Sequence, residues 1–221
     1  MNKRQKKHLV IAPHHDDEVI GCGGTIAQAI SKGDIVRVVV VTKGDLSGSD
    51  KAINQMVKDR ENECLQACES LGIEKENVIF LRKNDRSLVY SLEFVKEIIN
   101  EISVFEANYI YFPHHEESDR DHRVVNEVVK EAVFLCQSGF LPNDNASFIK
   151  MCLQYEVWTP MKNYQVIKDI TNFVDVKVKS IKRYESQLET LNLVEGVLGL
   201  NSYRGMQTGV KSAEVFKLES L

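Results

Sequence analysis

The sequence predicts an α/β fold: a single domain with a Rossmann-like, mostly parallel sheet and helices on both faces. Three observations predict it. Short apolar runs alternate with longer segments of helical period through most of the 221 residues. The run Ile35–Thr42 (IVRVVVVT) is β-branched and nearly unbroken, as suits a strand covered on both faces. Two apolar runs stop abruptly in His and carboxylate clusters, and parallel sheets bind ligands beyond the carboxyl ends of their strands.

The elements follow in order. Residues 9–12 read as a buried strand, and residues 19–31, opening on Gly21, Gly23 and Gly24, as a turn into a helix ending near Gly33. Ile35–Thr42 is the second strand, and Gly44 to Asp50 is a loop by composition. Residues 52–71 carry apolar side chains at helical spacing and stop at Gly72. A short strand over 78–81, a helix over 92–104 and a strand over 109–112, halted by Pro113, come next. Residues 123–136 form a helix with Val124, Val125, Val128, Val129 and Ala132 on its apolar side. Residues 148–158 read as a strand and 174–191 as one helix with many exposed charges. The tail from Ser202 is less regular and is expected to fold over one side of the site. With no repeat, linker or low-complexity segment, the domain is 1–221, residues 1–7 forming a flexible N-terminus.

Composition narrows the function classes. Apolar residues make up 43% and charged residues 27%, which excludes a disordered chain. A net charge of −4 argues against nucleic acid or an anionic membrane surface as partner. The basic start before residue 8 lacks an apolar signal core, and no apolar run is long enough to span a bilayer. Five cysteines without framework spacing fit free thiols in a reducing, cytoplasmic setting. Cys64 and Cys68, one helical turn apart, are expected to be buried fillers rather than ligands. The partner is expected to be a small molecule, and a homo-oligomer is compatible with everything in the sequence.

Chemistry concentrates in the two clusters, Pro13 to Glu18 and His114 to His122. Imidazole and carboxylate are the ligands of a hydrolytic divalent-metal site. His14 and Asp17, three residues apart, can aim at one point, and His122 joins them if their strands are neighbours. His15 and His114 compete for these places on spacing alone. Two His and one carboxylate leave a position open for water, Asp16 stands beside them as general base, and Asp121 can fix an imidazole tautomer. One Zn²⁺ per chain is expected, with Fe²⁺ or Co²⁺ compatible. A solvated loop would explain one such cluster; two clusters, each ending a strand, point to a site. Other features carry less. Gly21-Cys22-Gly23-Gly24 lacks both the G-x-G-x-x-G spacing and a Walker lysine, so its glycines are expected to serve close packing. Ser47 and Ser186 have no nucleophile context. Arg60 and Glu63 read as a helix-face pair or a substrate contact.

The motif P-H-x-D-D-E at residues 13–18, followed by G-C-G-G, resembles that of the LmbE-like (PIG-L) de-N-acetylases. Further ordered matches are R-x-x-E-x-x-x-A-x-x-x-L-G over 60–72, Asp121-His122, Tyr155 to Trp158, residues 179–188 and Arg204 to Phe216. The resemblance implies a zinc hydrolase that removes acetyl from an N-acetylated amino sugar or glycoconjugate. It implies His14, Asp17 and His122 as ligands, Asp16 as general base and Arg60 as a substrate contact. Two positions depart from the pattern. His15 stands where the family often has Pro, and Asp119 where it often has a His that assists the reaction. His115 substitutes for that imidazole, or Asp119 contacts a sugar hydroxyl. The alternatives are a metal-dependent hydrolase of another bond, such as a two-metal phosphoesterase, and a non-catalytic zinc-containing sugar-binding module.

Overall fold

The apolar runs pair side by side, as their two-sided burial requires. A computed structural model describes residues 5–46, 53–138 and 148–219. In it β1 (Lys7–Ala12) lies between β2 (Ile35–Thr42) and β4 (Tyr109–Pro113), parallel to both. β3 (Val78–Lys83) extends the sheet beyond β2, and β5 (Met151–Tyr155) extends it beyond β4, again in parallel. β7 (Ala213–Glu219) then pairs antiparallel with β5 and with β6 (Val166–Asp169), giving the order β3-β2-β1-β4-β5-β7-β6. Strand order reverses between β1 and β4, so the crevice beyond their carboxyl ends is the topological switch point.

Side chains alternate across the strands and build a core on each face. Val10 joins Val38, Val40, Tyr111 and Leu153 beneath α1 (Asp17–Ser31), α2 (Ile53–Leu71), α5 (Val174–Ile181) and α7 (Leu193–Thr208). Leu9 and Ile11 join Val39, Val41, Ile110 and Phe112 beneath α3 (Leu92–Phe105) and α4 (Arg120–Ser138). All five cysteines are free and buried in these layers. Among the described residues no helix is long and apolar enough to cross a membrane.

Several expectations need correction. The expected helix over 174–191 is broken: α5 ends at Ile181 and a separate short helix, α6 (Glu185–Leu188), follows. The tail is regular, forming α7 and β7, and β6 was not foreseen. The strand expected over 148–158 is confined to β5. The N-terminal segment is tied down from its first described residues: Gln5 donates to the Gly33 carbonyl at 2.7 Å, and Lys7 pairs with Ile35. Residues 1–4, and 47–50 of the expected loop with Ser47, lie outside the described residues.

Helix α1 is broken at Cys22, whose φ of −147° and ψ of 20° are not helical. The break frees backbone groups on both sides, and a buried ion pair takes them up. Glu214 of β7 accepts from the Gly24 and Thr25 amides, both at 2.8 Å, where a carboxylate suits a helix N-terminus. Lys177 of α5 donates to Glu214 at 2.7 Å and to the Ile20 carbonyl at 2.9 Å. The glycines around the break allow close approach: a Cβ on Gly21 would lie 2.3 Å from the Tyr155 ring, and one on Gly24 2.7 Å from Ile170.

Candidate metal centre

β1 delivers His14 and the first turn of α1 to the switch point. Asp17 Oδ2 accepts from the His14 amide at 2.8 Å, which locks the turn. Between them Asp16 sits at φ 111°, a conformation that costs a non-glycine residue about 1–3 kcal/mol and that tends to persist at functional sites. From the other side, β4 and its following loop deliver α4. Asp119 caps that helix, accepting from the Asp121 amide at 2.7 Å, and its first turn presents Asp121 and His122, both fully buried.

Three donor atoms converge there. His14 Nδ1 lies 3.2 Å from His122 Nε2 and 3.4 Å from Asp17 Oδ2, and His122 Nε2 lies 3.1 Å from Asp17 Oδ2. Tetrahedral bonds of about 2.0–2.1 Å separate ligand atoms by roughly 3.3 Å, so the triangle has the edge lengths of a zinc site. Three lone-pair-bearing atoms packed this closely need a cation or protons between them. His14 Nε2 stands 3.3 Å from Asp121 Oδ2, which assigns its proton to Nε2 and leaves Nδ1 for a metal. His14 keeps a side-chain exposure of 17% and forms the open side; its two partners are sealed.

The electrostatics match this arrangement. Burial lowers the pKa of His14, but the Asp121 and Asp17 carboxylates outweigh it and hold it up to about 10 in the metal-free protein. Burial opposes ionisation of Asp17 as well, yet His122 and His14 push its pKa below the usual range. Asp16 goes the other way: burial and the neighbouring Asp17 carboxylate raise its pKa, against the charge of Arg60. A raised carboxyl beside a ligand set is suited to proton transfer near neutral pH.

The remaining sequence candidates separate. His114 competes for no ligand place: its Nε2 donates to the Thr159 carbonyl at 2.6 Å and its Nδ1 accepts from the Glu116 amide at 3.2 Å. His15 is fully buried and stacked on Phe80, and is not among the converging donors. Burial and Arg60 hold its pKa well down, so it is neutral. Arg60 is buried and donates to the His15 carbonyl at 3.0 Å; its Nε has no partner among the described residues. Glu63 does not pair with Arg60 but bonds the amide and hydroxyl of Ser186 at 2.8 and 2.7 Å. Asp119, besides capping α4, meets Arg86 Nη1 at 2.9 Å, and His115 is exposed in the loop after β4.

Two groups escaped the sequence reading. Glu117 is fully buried, accepts from the Val157, Trp158 and Thr159 amides at 2.7, 3.2 and 3.2 Å, and comes within 3.8 Å of His122 Nδ1. It ties the loop after β5 to the metal triangle. Glu18 accepts from the Tyr184 hydroxyl and lies with Cys64 and Cys68 under the first turn of α1. Glu117 was visible as one more acid in a polar run; nothing in that run marks which carboxylate turns inward.

Comparison with known proteins places this geometry. The family profile for PIG-L, GlcNAc-PI de-N-acetylase, matches residues 9–133, which hold the whole triangle. The diacetylchitobiose deacetylase of Thermococcus kodakarensis is 29% identical over 95% of this chain and 81% of its own length. A probable N-acetyl-α-D-glucosaminyl L-malate deacetylase of Bacillus subtilis is 26% identical over 83% of this chain and 85% of its own. The solved N,N′-diacetylchitobiose deacetylase of Pyrococcus horikoshii superposes with a TM-score of 0.83 at 25% identity, covering 98% of this chain and 84% of that one. With the profile spanning more than half of the sequence and both halves of the site, the chain belongs to the PIG-L family of de-N-acetylases.

Proposed function

We propose that the chain is a zinc-dependent hydrolase that removes the acetyl group from a small N-acetylated amino sugar or glycoconjugate. The observation that carries this reading is the triangle of His14, Asp17 and His122, closed to 3.1–3.4 Å at the switch point beside a strained, buried Asp16. The named activities of the similar proteins, on diacetylchitobiose and on a glucosaminyl malate, support acetamidosugars as the substrate class.

A zinc ion held by these three residues would activate water and polarise the acetamide carbonyl. Asp16, its carboxyl raised by burial, takes the proton of the attacking water. It then returns that proton to the leaving amine, and acetate and the free amine result. His115, exposed on the loop after β4, is the second candidate donor. Asp121 holds His14 in the tautomer that points Nδ1 inward. Arg60 supports the His15–Asp16 backbone through the His15 carbonyl, and so positions the turn that carries the base. Asp119 orients Asp121 by capping α4 rather than by meeting a sugar.

The test is acetate release across N-acetylated sugars and glycoconjugates, with metal content measured on the same sample. About one zinc per chain and chelator-sensitive, zinc-restored acetate release are expected. Two metals with phosphoester hydrolysis, or zinc binding without turnover on any acetamidosugar, would overturn the reading.

A further inference from the structure

Beside the triangle lies a concavity of about 310 Å³, lined by Ile20, Val157, Trp158, Leu193, Gly196 and Asn201 among others. Its walls are bonded to the site on two sides. The Ile20 amide donates to the Asp16 carbonyl at 2.9 Å, and the Val157 and Trp158 amides donate to Glu117, whose carboxylate comes within 3.8 Å of His122 Nδ1. Trp158 and Leu191 remain 43% and 40% exposed at its rim, so apolar surface continues from the cavity to solvent. Of the eleven lining residues two are polar, Asn192 and Asn201. Asn192 is engaged with Glu195. Asn201 is 5% exposed, donates to the Ala213 carbonyl at 3.2 Å, and its Oδ1 has no partner among the described residues.

We infer that this cavity receives the apolar aglycone of a glycoconjugate, an alkyl, acyl or aryl group attached to the sugar whose acetamide lies at the metal triangle. The inference rests on the N-deacetylase reading and adds the substrate's second half. A further sugar ring fits poorly, because its hydroxyls would meet an almost wholly apolar wall. An apolar group has no hydroxyl to leave unpaired there. The volume lies at the lower end of the range for small-ligand pockets, which suits one short chain or ring.

Two measurements test this, one of them independent of turnover. Trp158 is the single tryptophan of the chain, so its fluorescence reports the cavity directly. Hexyl β-D-glucoside, which has no acetamide, is expected to give a saturable blue shift, and methyl β-D-glucoside none at the same concentrations. In the second measurement acetate release is compared for hexyl and methyl N-acetyl-β-D-glucosaminides. The ratio of their kcat/KM values is expected to favour hexyl by roughly tenfold or more. Gly196→Leu supplies the control: it lines the cavity on α7, and a Cβ there meets nothing within 4 Å, so a larger side chain can be placed at the cavity wall without displacing its neighbours at Cβ. It is expected to abolish the fluorescence shift and bring the ratio near one. No shift with the hexyl glucoside, a ratio near one in the unaltered protein, or a preference for diacetylchitobiose over the hexyl glycoside would overturn the inference. If neither glycoside releases acetate, the deacetylase reading is decided by the wider panel of N-acetylated sugars and glycoconjugates, and the fluorescence titration still decides whether the cavity binds an apolar group.

Discussion

Lys177→Met would isolate a charge in the middle of the molecule. Lys177 is fully buried, and its ammonium serves Glu214 at 2.7 Å and the Ile20 carbonyl at 2.9 Å. Glu214, 2% exposed, also holds the Gly24 and Thr25 amides across the break in α1. Without the ammonium, the carboxylate keeps two neutral donors and loses its counter-charge, and the Ile20 carbonyl loses its donor. Breaking a buried ion pair from one side costs about 3–5 kcal/mol, a large part of a total stability of about 5–15 kcal/mol. Glu214→Gln leaves the ammonium uncompensated in the same way. The double variant removes both charges and keeps an amide oxygen for one of the two helix amides, so its cost falls short of the sum of the singles by about 2 kcal/mol or more. Urea unfolding of the four proteins, in chelator and read at a common slope, measures this cycle. Single replacements costing under about 1 kcal/mol, or a double variant additive to within about 0.5 kcal/mol, would refute the reasoning.

Other outcomes follow from single contacts. Gly21→Ala drives a methyl to 2.3 Å from the fully buried Tyr155 ring, whose hydroxyl is fixed to the Ile11 carbonyl at 2.8 Å. Overpacking of this kind costs about 1–3 kcal/mol, which lowers Tm by about 5 °C; an unchanged melting curve would contradict the packing. Because His14 holds its proton up to about 10 in the metal-free protein, zinc must displace it. Calorimetry at pH 7 in two buffers of different ionisation enthalpy should show release of about one proton or more per zinc, and zero release would argue against His14 as a ligand. Burial raises the Glu18 pKa from 4.5 to about 8, against the Tyr184 hydrogen bond. The folded state therefore binds more protons than the unfolded chain across that window, and the stability of the metal-free protein falls as pH rises through it. Glu18→Gln should flatten the urea midpoint between pH 5 and 8, and an unaltered slope would exclude Glu18 as its source.

The sheet and the two clusters that supply the candidate metal triangle were legible because their signals are local. IVRVVVVT announces a central strand by itself. His14 and Asp17 closely follow the end of β1, and His122 lies in the first turn of the helix after β4, where an α/β sheet places its ligands. What the sequence hid depends on contacts distant in the chain. Lys177 and Glu214 look like surface charges, and each is buried only because the other is. Helix α7 contains Gly196, Gly199 and Gly205, which weaken its helical signal. Gly205 is needed because a Cβ there would lie 2.6 Å from the Lys211 backbone. Arg204 pins the same helix to Glu156 and to the Met161 carbonyl, contacts that no local pattern announces. The choice of His14 over His15 and His114 was open on spacing. The structure narrows it through partners: His114 is spent on Thr159 and Glu116, and His15 is packed against Phe80.

The central claim is that His14, Asp17 and His122 hold the metal while Asp16 moves the proton. Asp16→Asn separates the two roles, since the side chain keeps its size and the triangle keeps its three donors. Zinc content and acetate release, measured together on that variant, test the claim most directly. The account predicts about one zinc per chain and a loss of acetate release of about 10²-fold or more. Full zinc-dependent acetate release by Asp16→Asn would contradict it.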